Sequence, residues 1–132
     1  MGCDTDIIVS WRSKPRSFVA LMGLYESNHL RLQRLAGNLT GLRGTLVSDV
    51  DGDCRLTLAV LERARYTSEL RMTYLLPERV PDLRLRAYHD AGLVEALGQG
   101  GAPEREMHQR WLSNMMLNKW LEYCAERGHQ FR

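Results

Sequence analysis

Hydrophobic and polar positions alternate with two different periods along this chain. From Phe18 to Ala36 the apolar residues recur with helical spacing. Phe18, Leu21, Met22, Tyr25, His29, Leu32 and Ala36 fall on one face, and Glu26, Asn28, Arg31 and Arg34 lie mostly off it. A helix over residues 15–36 follows, capped by Ser13 or Ser17, with Pro15 tolerated in its opening turn and Gly37-Asn38 as its stop. Residues 1–14 lack a period, apart from the short Ile7-Ile8-Val9 run, and read as an irregular arm. The period then falls to two over residues 45–97. Thr45–Val50 and Cys54–Leu61 predict strands joined by an Asp51-Gly52 hairpin turn, with Leu56, Leu58 and Val60 pointing inward. Around Glu62-Arg63-Ala64-Arg65 the alternation turns polar, as at a bulge or an exposed end. Leu70, Met72, Tyr74 and Leu76 mark a third strand closed by Pro77 and Pro81. Leu83–Leu97 reads as two more strands around a turn at Asp90–Gly92.

The glycine-rich run 98–103 predicts a joint, and 104–127 the longest helix, ended by Gly128. Its acidic start and Arg127 at its end suit the helix dipole. Met107, Trp111, Leu112, Met115, Met116, Trp120, Leu121 and Cys124 give it an apolar stripe broad enough to pack on a sheet. Helix, strands, helix is a segregated order. It predicts a single α+β domain, an antiparallel meander of four to five strands with both helices packed on one face.

Composition changes this picture little. The 132 residues suffice for one domain with a real core, and 44% hydrophobic and 26% charged residues are ordinary for a globular chain. A net charge of +2 does not by itself imply nucleic acid. The basic side chains are nearly all arginine, Lys14 and Lys119 being the only lysines, so their placement matters more than their total. Cys3, Cys54 and Cys124 have no CxxC spacing, which argues against a disulfide scaffold or a zinc finger and for thiols in a reducing cytoplasm. No apolar run approaches a membrane span, and the first residues lack the pattern of a secretory signal. Met1-Gly2 is not a myristoylation motif, because Asp6 stands where that motif wants Ser or Thr.

Three clusters carry a resemblance. Glu62-Arg63-Ala64-Arg65-Tyr66-Thr67 gives E-x-x-R-Y-T; Tyr88-His89-Asp90-Ala91 is followed by Glu95; and His108-Gln109-Arg110 precedes Asn114 and a WLxYC pattern ending at Cys124. Together with Tyr25-Glu26-Ser27-Asn28 they resemble the YqiB-like proteins, an uncharacterised family of small bacterial proteins. The likeness runs from about Phe18 to Gly128. The chain departs from it in a shorter segment between Leu97 and His108 and in the stretch after Arg110. The resemblance implies a bacterial, cytoplasmic protein and supplies no activity.

No motif specifies a reaction. His89, Asp90 and His108 are the candidate catalytic set, and could even hold zinc or iron if the last helix began over the fourth strand. Neighbours on a strand point to opposite faces, however, so the plainer reading has Asp90 organising the turn and His89 packing or capping. His29 and His129 read as a helix-face residue and a tail residue. Asp49-Val50-Asp51-Gly52-Asp53 fails as a calcium loop, since Val60 stands where the twelfth-position Glu belongs. Gly98-Gln99-Gly100-Gly101 lacks the Lys-Ser/Thr of a phosphate loop. Asn114, polar within an apolar stripe, reads as a register-fixing hydrogen bonder.

The arginines carry more. Arg63, Arg65, Arg71, Arg84 and Arg86, with Tyr66 and Tyr88 beside them, would form a cationic band on the sheet face away from the helices. Such a band suits an acidic protein or an anionic ligand, and less specifically an RNA backbone, for which no RNP-type motif is present. The competing reading is a solvated face where Glu62, Glu69 and Glu95 pair with those arginines. The expectation is therefore a cytoplasmic binding module without a cofactor or metal, with a homodimer favoured if a sheet face or edge is open. The alternative is a small hydrolase-like or metal-assisted enzyme.

Overall fold

The computed structural model describes residues 17–76, 82–98 and 106–132. The N-terminal arm, the prolines proposed to close the third strand and most of the glycine joint lie outside these residues. The described chain is α+β: helix α1 (Phe18–Ala36), a short 3-10 turn (Leu39–Gly41), strands β1 (Thr45–Ser48), β2 (Leu56–Arg63), β3 (Thr67–Tyr74), β4 (Asp82–Tyr88) and β5 (Leu93–Ala96), then helix α2 (Met107–Glu126). The strands form one antiparallel sheet in sequence order, β1-β2-β3-β4-β5.

Period-two alternation sets the sheet's two faces. Leu56 and Leu58, Leu70 and Met72, Leu85 and Ala87, and Val94 and Ala96 all point inward and are buried. They share one core cluster with Leu32 and Leu35 of α1 and Leu117, Leu121 and Cys124 of α2. Each fully buried leucine in such a core contributes about 1.5–3 kcal/mol, so this face decides the fold. A register shift between Val60 and Glu62 places Leu61 in a bulge, where the alternation turned polar.

Ser17 is the N-cap of α1, its Oγ accepting the Ala20 N–H at 3.0 Å. Helix α2 begins later than its sequence suggested. Glu106 is its N-cap without a side-chain capping bond, and no acidic residue lies in its first turn. Both helix faces are also rotated from the apolar stripes. Phe18 on α1, and Leu112 and Met116 on α2, are exposed. The buried faces instead carry Asn28 on α1 and Asn114 and Asn118 on α2. Hydrophobicity alone misplaces these faces because three amides occupy the seam where the helices meet.

The predicted two-residue hairpin at Asp51-Gly52 is a longer loop, since Ser48 pairs with Leu56 and residues 49–55 lie between the strands. Gly52 does adopt a positive φ of 82°, so the turn chemistry is there within a wider excursion. Long-range bonds to Asp53, described below, hold that excursion open. The β4–β5 hairpin matches expectation, closed by Gly92 N–H to the Tyr88 carbonyl at 2.9 Å.

Both outer strands have partners on their open sides. On β5 the Val94 carbonyl accepts Asn28 Nδ2 at 3.1 Å, and the Ala96 N–H donates to Asn114 Oδ1 at 2.8 Å. On β1, Val47 exchanges two main-chain bonds with Arg132, each of 3.1 Å. The open edge that would have favoured a homodimer is thus occupied at these positions.

Candidate functional site

The outer sheet face is built by the residues that alternate with the core. Arg71, Glu69 and Thr67 of β3 lie beside Arg84, Arg86 and Tyr88 of β4, with Glu95 of β5 next in line. The register sets Arg71 directly opposite Arg84 and Glu69 opposite Arg86. Glu69 is shared: its Oε2 lies 3.1 Å from Arg84 Nη1 and its Oε1 3.6 Å from Arg86 Nη2. Arg71 is exposed and makes no ion pair among the described residues.

The rest of the expected band is scattered. Arg63, beyond the bulge, turns away and donates from Nη2 to the Thr40 carbonyl at 3.1 Å. Arg65 stacks over the Tyr66 ring at 5.2 Å on the β2–β3 turn, with Tyr66 half exposed. Glu95 does not bridge to its cross-strand neighbour Arg86 but turns toward two phenols.

Those phenols define a pocket at the end of the molecule where α1, the β4–β5 hairpin and α2 meet. Glu95 is buried. Its Oε1 accepts the Tyr88 hydroxyl at 2.6 Å and its Oε2 accepts the Tyr25 hydroxyl at 3.3 Å. Tyr25, Tyr88, Glu95 and Arg110 border a concavity of about 370 Å³, with Met22 and Leu93 as apolar wall and Asp90 on the hairpin. Burial, and then the Glu95 charge, push the Tyr25 phenol well above its ordinary range, while Arg110 acts in the opposite sense. Burial and the bond to Glu95 raise Tyr88 likewise. The hydrogen bond to Tyr88 is the first reason that Arg86 is held even more firmly protonated.

Behind the pocket the asparagines form one network. Asn28 Nδ2 donates to Asn114 Oδ1 at 3.1 Å, and Asn28 Oδ1 accepts Asn118 Nδ2 at 3.1 Å. Asn118 Nδ2 also reaches Ser27 Oγ at 2.9 Å, and Asn114 Nδ2 donates to the Arg110 carbonyl at 2.8 Å. This network fixes both helices against β5 and so holds Arg110 and Tyr25 beside Glu95. Asn114 is buried with its hydrogen bonds satisfied, as its place in an apolar stripe requires. The apolar spacing places Asn28 mostly off the buried face, and nothing in the pattern marks Asn118, yet both are buried.

No hydrogen bond or ion pair joins the catalytic candidates His89, Asp90 and His108, all three of which are described residues. His89 lies on the inner side, its Nε2 2.8 Å from Ser68 Oγ, with Nδ1 buried and without a hydrogen-bond partner among the described residues. Asp90 is exposed on the turn and His108 exposed on α2. No group of three or more His, Cys, Asp or Glu suited to a metal ion occurs among the described residues. Burial, and then His89, depress the pKa of His29.

Comparison with known families matches residues 31–130 to a protein of unknown function, DUF1249. The chain belongs to the DUF1249 family. No curated protein and no solved structure matches it. The matched span of this DUF1249 chain takes in the outer face, Tyr88, Glu95, Arg110 and the α2 side of the helix seam. Helix α1 up to Leu30, including Tyr25 and Asn28, precedes it.

The DUF1249 chain holds a second polar cluster that sequence reading passed over. His129 is buried in the segment after α2, between Ser48 and Asp53. Its Nδ1 lies 2.8 Å from Ser48 Oγ and its Nε2 2.9 Å from Asp53 Oδ2. A carboxylate only accepts, so Nε2 carries a proton and donates it to Asp53. Tyr74 and the Cys54 N–H also donate to Asp53 Oδ1, and Arg127 Nε lies 3.6 Å from Oδ2. Burial by itself would raise Asp53, but the bonds from Tyr74, His129 and Cys54 outweigh it and hold the carboxyl at about 2. Burial, and then the Asp53 charge, push the Cys124 thiol up to about 12. The row Ser48-His129-Asp53 has the order of a nucleophile relay. However, Ser48 Oγ is also claimed by the Gln130 N–H at 2.8 Å, and the residue is only 3% exposed. The arrangement acts as a latch between the β1–β2 loop and the terminal segment.

Proposed function

We propose that this DUF1249 domain is a binding module that presents its outer sheet face, centred on Arg71, Arg84 and Arg86 with Tyr88 alongside, to an acidic partner. One observation carries the reading: Arg71 faces Arg84 directly across two strands, and a single carboxylate, Glu69, serves both Arg84 and Arg86. Like charges directly opposite one another destabilise a sheet, and a bound anion relieves that cost. Guanidinium groups at this spacing suit bidentate pairing with carboxylates. The resemblance to YqiB-like proteins, and the free Cys54 and Cys124, support a bacterial cytoplasm as the setting.

The test is binding of a fluorescent oligoglutamate, followed by anisotropy at low and high salt. Wild type binds at low salt and weakens as salt rises. An Arg71→Glu/Arg84→Glu variant with native circular dichroism binds about tenfold or more weakly. Arg71→Glu by itself raises stability by about 0.5 kcal/mol, because it replaces a like-charge pair with an opposite one. Equal binding by the double variant, or no wild-type binding, overturns the reading.

A further inference from the structure

The pocket at the Tyr25–Glu95–Tyr88 triangle is separate from the centre of the arginine face, and its walls carry charges of both signs. A carboxylate buried to 5% exposure needs pairing, and here two phenols supply it rather than the adjacent Arg86. The bond from Tyr25 to Oε2 is long, at 3.3 Å, and each carboxylate oxygen has more than one acceptor site. Glu95 therefore retains capacity toward the concavity it borders. Asp90, exposed on the same hairpin, borders the concavity as well. Arg110 brings the opposite charge from the first turn of α2. It already makes a contact within the chain, but a guanidinium has five N–H donors in a fixed fork. Met22 and Leu93 complete the lining with apolar surface.

A ligand with one charge meets an opposing charge of its own sign in this space. A ligand with an ammonium at one end, a carboxylate at the other and an aliphatic branch satisfies all three surfaces. The concavity, about 370 Å³, falls in the range of small-molecule sites. We infer that this pocket binds an α-amino-acid-like zwitterion, its ammonium beside Glu95 and Asp90, its carboxylate on Arg110 and its side chain against Met22 and Leu93. The site does not depend on the acidic-partner reading, since Arg71 and Arg84 take no part in it.

Calorimetric titration with L-leucine, leucinamide (no free carboxylate) and isocaproate (no ammonium) tests this. L-leucine binds about tenfold or more tightly than either one-ended analogue, as loss of one charge-assisted contact implies. Arg110→Gln abolishes the preference for leucine over leucinamide and keeps that over isocaproate. Glu95→Gln does the reverse, and Asp90→Asn, on an exposed turn, supplies the same readout should the buried change disturb folding. Arg71→Glu/Arg84→Glu leaves all three affinities unchanged. Equal affinity for the three compounds, or no heat from any of them at millimolar concentration with a natively folded chain, overturns the assignment. A purely structural Glu95–tyrosine tie would not show this crossed pattern of losses.

Discussion

Asp53 has a side chain only 6% exposed and a carboxyl held at about 2 against an ordinary 3.8. Below its ordinary value the unfolded chain takes up a proton that the folded chain refuses until lower pH. Stability from this group is therefore complete above about pH 4 and drains away as pH falls toward about 2. Urea titrations across that window are expected to show the loss, and Asp53→Asn to flatten it while costing about 1–3 kcal/mol at neutral pH. The residues of this latch were all visible in sequence, yet Asp53 read as turn chemistry and His129 as tail. Nothing local marks a contact between positions so far apart along the chain. Tyr88 and Arg86, by contrast, were placed on the outer face by alternation alone, because a strand's geometry leaves one choice once its neighbours are buried. The turn of Glu95 toward phenols instead of Arg86 was not legible, since it depends on where Tyr25 arrives from another element.

Strand faces were readable because the inward positions are mostly apolar, as at Leu56, Leu58, Leu70, Met72 and Leu85, with the small Ser48 and Ser68 as buried polar exceptions. Helix faces were not, because Asn28, Asn114 and Asn118 fill the seam and apolar Phe18 and Leu112 face outward. The asparagines are unequal in what they support. Asn114 Oδ1 receives both the Ala96 N–H and Asn28 Nδ2, so its loss leaves buried donors without acceptors. Asn114→Ala is expected to cost about 2–4 kcal/mol in chemical denaturation, against about 1–2 kcal/mol for Asn118→Ala, which leaves Asn28 Oδ1 as the main orphan. Native-state hydrogen exchange should show the Ala96 amide losing protection in the first variant and keeping it in the second.

Across the whole molecule one side of the sheet is buried, and the other carries charged groups on β3 and β4 beside Thr57 and Ala59 of β2, the asymmetry on which the proposed binding face depends. The far end of the chain takes part in that burial: Phe131 is 7% exposed and belongs to the main core cluster, and its N–H donates to the Leu35 carbonyl at 2.8 Å. Phe131→Ala is expected to destabilise the entire domain in one cooperative urea transition, by about 3–5 kcal/mol, and not merely to fray the terminal segment. A two-phase transition would show instead that this segment comes away independently.

The two capped margins of the sheet have a consequence for behaviour at high concentration. Unsatisfied main-chain groups along a ribbon are what allow one molecule to recruit the next into a growing fibril. Here asparagine amides occupy Val94 and Ala96 on one margin, and Arg132 occupies Val47 on the other. Resistance to templated self-assembly at the β5 margin is thus built from the same asparagine contacts that position the pocket, and unpacking of the helix seam is expected to expose that margin to amyloid-like stacking.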